Sequence, residues 1–136
     1  MVEKRKLTNP VYEEIKETIG LIPEFFLAIP ERTLREQWDL FKDAFLSEEG
    51  PFDPKTKELI GLAASAGMDC EYCIPVHTAL SKFHNATNEE VNETAQLVRS
   101  VGQWSRLLYA LDYDKDLLRK EIRAIIEFLG GRPRPL

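Results

Sequence analysis

Residues 59–68 read LIGLAASAGM, ten positions without a charge in a chain of which 30% is charged. A run that is apolar or small on every side reads as a central helix covered by its neighbours, and Gly61, Ala63, Ala64, Ser65 and Gly67 would let those neighbours approach closely. Asp53 and Pro54 supply a cap and a first-turn proline ahead of it, and Gly67 is predicted to end it. The run is half the ~20 residues needed to span a bilayer, and no other apolar stretch is longer, so no membrane partner is expected.

The rest of the chain carries the same period. Tyr12, Ile15 and Ile19 recur at helical spacing between Pro10 and Gly20, and Leu21 to Ala28 reads as an aromatic turn or short helix. Leu34, Trp38, Phe41, Phe45 and Leu46 mark a helix that is expected to end near Gly50. Residues 70–83 give the next helix. Thr87 to Glu90 form a capping-box pattern that opens another, which Gly102 is expected to interrupt before Leu107, Leu108 and Leu111 continue it. Leu117, Leu118, Ile122, Ile125, Ile126 and Leu129 line a last helix closed by Gly130 and Gly131. No pair of period-2 strands joined by hairpin chemistry is present, so the fold class is all-α with six or seven helices. With 43% hydrophobic residues and no linker, residues 1–136 are expected to form a single domain with loose ends at 1–9 and 131–136.

The charge balance, 18 Lys+Arg against 23 Asp+Glu, gives a net charge of −5 and excludes the basic footprint that nucleic-acid binding requires. The N-terminus MVEKRKLTNP has no apolar stretch of a secretory signal, which places the expectation in the cytoplasm.

Against this background four residues stand out: Glu58, Cys70, Cys73 and His77, spaced E-x11-C-x2-C-x3-H. Two cysteines this close cannot staple distant segments, and they suit a disulfide that forms and opens. Cys73 and His77 are one helical turn apart and share a face. Pro75 is tolerated only in a first turn, so the regular helix should begin near Cys73, with both sulfurs at its positive end, where a thiolate is favoured. Asp69 and Glu71 act in the opposite direction if their carboxylates point inward. Glu58, at the edge of the uncharged run, needs a partner, and His77 is the obvious one. A Glu58–His77 proton relay, with Cys73 attacking and Cys70 resolving, follows from that placement.

The segment from Lys57 to Thr78, KELIGLAASAGMDCEYCIPVHT, resembles the signature of the carboxymuconolactone decarboxylase and alkylhydroperoxidase AhpD-like family at Glu58, Cys70, Cys73 and His77. The resemblance implies an all-helical fold over about residues 20 to 130, with subunits packed as homo-trimers or hexamers. It also implies a thiol-dependent peroxidase or disulfide reductase with an antioxidant role and no cofactor. Its substrate would be a hydroperoxide or a protein disulfide, and an external dithiol or protein reductant would close the cycle. Cys73 would be the reactive thiolate, Cys70 its resolving partner, and Glu58 and His77 the relay. The AhpD branch carries a histidine directly before the second cysteine, where this chain has Tyr72, a residue that reads as a wall of the site. The decarboxylating branch generally lacks the cysteine pair, which counts against that reaction.

Rival readings of the same residues are a non-catalytic redox sensor and a zinc site on Cys70, Cys73, His77 and Glu58. Zinc usually draws on a second separated ligand pair, and none is present, so no metal is expected. His84 reads as a cation at a helix C-terminus, favoured by the dipole. Trp38, Trp104, Phe25 and Phe26 read as core or subunit-interface aromatics, and residues 112–120 as a solvated face.

Overall fold

Asn9 opens the first helix by accepting the N–H of Val11 at 3.0 Å, with Pro10 at the first helical position, where its missing N–H leaves no donor unpaired. In the computed structural model, which describes residues 8–131, helix α1 then runs Pro10–Ile19. It is followed by α2 (Glu24–Leu27), α3 (Glu31–Phe41), α4 (Pro54–Gly67), α5 (Cys73–Phe83), α6 (Asn88–Ala110) and α7 (Lys115–Gly130). Between α3 and α4 a π-helical turn, Lys42–Leu46, continues the α3 axis. The described residues contain no strand, so the architecture is all-α. Asn9 is an ordered cap rather than part of a loose end, and Gly131 is the right-handed cap of α7; the other terminal residues expected to be loose, 1–7 and 132–136, lie outside the described residues, while Thr8 is the first one described.

The densest core is not around the uncharged helix. It lies between α1, α2 and α3, where Val11, Tyr12, Ile15, Phe26, Leu34 and Trp38 are buried together. Their spacing of three and four residues gives α1 and α3 one apolar stripe each, and Phe26 meets Trp38 edge-on at 5.7 Å. Glu14 fastens this unit from outside: its carboxylate accepts from Arg35 at 2.6 Å, from Trp38 Nε1 at 3.0 Å and from Lys42. Those donors hold the Glu14 carboxyl down at about 2, with Lys42 the largest contributor and Arg35 next.

Helix α4 buries one stripe, Glu58, Leu62 and Ser65, and its main partners are α5 and then α6. The expectation of cover on every side is corrected, because Ile60 is 48% exposed. Small residues allow close approach but do not compel it, and the outer face of α4 has no neighbour among the described residues. The four aromatics expected in the core or at a subunit interface divide between inside and surface. Trp38 and Phe26 are inside, while Phe25 and Trp104 are exposed.

Three helix ends share one device. Gly67 is the last residue of α4, as expected, and the chain reverses at Asp69, whose φ of 54° is left-handed. Cys70 N–H then donates to Ser65 O and Asp69 N–H to Ala66 O, the paired bonds of a Schellman motif. Asn85 and Asp112 close α5 and α6 with the same pair of bonds and the same positive φ. Short polar side chains tolerate this region where glycine would be the usual choice. Gly102 does not interrupt α6, which runs unbroken because a single interior glycine costs only about 1 kcal/mol relative to alanine. The aromatic helix stops at Leu46, with Ser47 extended, rather than near Gly50. Thr87 and Glu90 make the expected capping box in full.

Candidate active site

The Schellman reversal at Asp69 delivers Cys70 to the mouth of α5. Pro75 sits in the first turn, as its geometry demands, and the helix begins at Cys73. Tyr72 occupies the N-cap position but makes no side-chain capping bond; the Cys73 N–H instead donates to Cys70 Sγ at 3.2 Å. Cys70 and Cys73 are joined as a disulfide with their Cα atoms 5.4 Å apart. Both sulfurs therefore lie at the positive end of the α5 dipole. Asp69 and Glu71 are exposed, and neither lines the cavity that Cys73 faces.

One turn along α5, His77 Nδ1 meets Glu58 Oε2 of α4 at 2.7 Å. Glu58 is only 2% exposed, and this imidazole is its partner. A buried carboxylate without that bond would carry a large desolvation penalty. A hydrogen on Nδ1 donates to Glu58 Oε2 and leaves Nε2 as an acceptor, the tautomer a general base needs.

Gly61 makes this pair possible. A Cβ at that position would lie 2.6 Å from His77 Nδ1, 2.7 Å from Cε1 and 2.9 Å from Cγ, so the imidazole lies flat against bare backbone. Gly61 stands three residues after Glu58, on the same face of α4, and that spacing, with the close approach a glycine allows, was the signal of its part in the site. Phe45 packs against His77 with ring centroids 5.4 Å apart, and it is placed there by the π-helical turn. A row of ring contacts runs from the core to the site, Trp38 to Phe41 to Phe45 to His77. Lys57 anchors the following loop to α4 by donating to Ser47 O at 2.6 Å.

Cys73, His77 and Glu58 open on a cavity of about 260 Å³ walled mainly by Phe45, Leu46, Val76 and Leu80. Tyr72 stands at its rim, 79% exposed, as a wall. Cys70 does not line it, so Cys73 is the sulfur presented to a ligand. The structure adds His84, which lines the same cavity from the far end of α5. Its seven-residue spacing from His77 was the available signal. Among the described residues no group of three or more His, Cys, Asp or Glu side chains is arranged to hold a metal ion, and no helix is long and apolar enough to cross a membrane.

An all-α chain with a C-x-x-C disulfide at a helix N-terminus, next to a buried His–Glu pair, falls in the class of AhpD-like helical proteins. The comparisons make this specific: the carboxymuconolactone decarboxylase family matches residues 32–116, a span that includes the whole site, and the chain belongs to that family. The chain is also similar to the crystal structure of the alkylhydroperoxidase AhpD core from Rhodospirillum rubrum. The identity is 28%, with 80% of this chain and 84% of that one covered and a TM-score of 0.68. No curated protein matches the chain.

Proposed function

We propose that the protein is a thiol-dependent peroxidase in which Cys73 attacks and Cys70 resolves. The observation that carries this reading is the placement of Cys73: it is disulfide-bonded to Cys70 and faces the cavity that also holds the His77–Glu58 pair. In the reduced protein His77 Nε2 takes the Cys73 proton, and the thiolate attacks the near oxygen of a hydroperoxide. The O–O bond breaks, Cys73 becomes a sulfenic acid, and the departing alkoxide takes a proton from His77 and leaves as an alcohol. Cys70 then displaces water from the sulfenic acid, forming the disulfide seen here. An external dithiol reduces that disulfide by exchange and is itself oxidised. A reducing compartment such as the cytoplasm would supply it.

The same reading takes the protein as a homo-oligomer. Leu97, Val101 and Trp104 on α6 and Ile122, Ile125 and Ile126 on α7 are all exposed in the single chain. A helix with such an apolar face is stable when another surface covers it, and a second copy supplies one.

A Cys70→Ser variant tests the chemistry. Treated with one equivalent of hydroperoxide, it should hold one added oxygen on Cys73, seen by mass spectrometry and captured by a sulfenic-acid probe. No oxygen on Cys73, with the peroxide left intact, would replace the peroxidase with a sensor that responds only to disulfide exchange.

A further inference from the structure

His84 has no part in the proton relay, yet it faces the same cavity as His77 and Cys73. It caps α5, where the helix dipole favours positive charge, and its only ring contact is edge-on to Phe83 at 5.0 Å. Among the described residues no hydrogen bond or ion pair engages its imidazole. The other titratable groups on the cavity are differently placed. Glu58 and His77 are bound to each other, and Tyr72 stands at the rim near Cys73. No Lys or Arg and no second carboxylate lines the space. At ~1.5 Å rise per residue, the seven residues from His77 place His84 about 10 Å away along the axis. Val76 and Leu80 stand on that stretch of α5, and Phe45 and Leu46 face it.

From this arrangement we infer that the cavity takes a small, elongated apolar molecule ending in a carboxylate, with His84 as the residue that binds the carboxylate. This inference rests on the proposed peroxidase only in naming what that activity would select; the binding itself does not require turnover. The apolar walls accept the chain and offer no polar partner along it. His84 supplies a free donor at the end opposite the sulfur. A carboxylate there gains a charge-assisted hydrogen bond, and the other carboxyl lining the cavity, Glu58, is already bound to His77. The other end of the ligand then reaches Cys73, so a hydroperoxide carrying a remote carboxylate is presented with its O–O bond at the thiolate.

Calorimetric titration of the disulfide-form protein at pH 7 tests this, with octanoate and 1-octanol as probes against wild type, His84→Leu and His84→Lys. Octanoate should bind wild type one to one and bind His84→Leu about tenfold or more weakly, the effect of one lost charged hydrogen bond. His84→Lys should keep most of the affinity, and 1-octanol should not distinguish the three. Equal octanoate affinity in wild type and His84→Leu, or no octanoate binding to wild type, overturns the inference; a His84 that serves only the helix dipole would give the former. Octanoate binding that depends on His84, in a protein that consumes no hydroperoxide, would sink the peroxidase and leave this site standing.

Discussion

Replacing Gly61 by alanine sets two effects of opposite sign against each other. In the middle of a helix, alanine is favoured over glycine by about 1 kcal/mol. Here the new methyl would sit within 3.0 Å of three His77 ring atoms, so the ring must move. Overpacking of this kind costs about 1–3 kcal/mol. Moving the ring also lengthens the 2.7 Å bond to Glu58 and leaves a buried carboxylate unpaired, which costs a further ~1–3 kcal/mol. The sum predicts that Gly61→Ala destabilises the protein by at least about 1 kcal/mol, a fall of roughly 4 °C in Tm for a chain of this length. In a His77→Ala background the obstacle is gone, and the same substitution should stabilise by about 1 kcal/mol. The coupling between the two positions is then about 2 kcal/mol or more, far above the additivity of independent sites. Urea unfolding of the four proteins, at one concentration and one redox state, measures it. If Gly61→Ala stabilises both backgrounds equally, the imidazole does not rest on Gly61 and the geometry of the relay is wrong.

Two further outcomes follow from the charged groups. Glu58→Gln keeps the shape of the relay but removes the anion that faces His77, and it should slow alkylation of reduced Cys73 about tenfold or more at neutral pH; an unchanged rate removes Glu58 from the mechanism. Glu14, held at about 2 by Lys42 and Arg35, has a folded value below its ordinary 4.5. Its contribution to stability is therefore complete above the ordinary value and lost as pH falls from about 4.5 toward 2. Glu14→Gln should be less stable than wild type at pH 7 and lose less stability than wild type between pH 5 and pH 2, as followed by thermal unfolding; parallel curves would show that the carboxylate contributes nothing through its ion pairs.

The parts of the site legible in the sequence were those governed by local geometry. Cys73 and His77 share a face because four residues make one turn, and Pro75 fixes the start of α5 because proline fits only there. Thr87 and Glu90 announce a helix start through a reciprocal bond between near neighbours. What escaped depends on distant contacts or on residues that stand in for more usual ones. Asp69, Asn85 and Asp112 occupy left-handed positions where glycine is the ordinary signal, so the reversals that close α4, α5 and α6 carried no glycine to mark them. The π-helical turn that sets Phe45 on His77 leaves the apolar pattern of α3 intact and has no period of its own. Gly61 and His84 matter because of what α5 and the aromatic turn bring next to them. The uncharged run of α4 marked a helix in close contact with others, but it could not show that the densest core would form between α1 and α3.

The central claim is that Cys73 is a catalytic thiol supported by the His77–Glu58 pair, and its most direct test is the number of hydroperoxide molecules consumed per subunit with an excess of dithiol. The account predicts many turnovers in wild type and none above background in Cys73→Ser. Consumption that stops at one hydroperoxide per subunit in wild type, or that persists in Cys73→Ser, would contradict it.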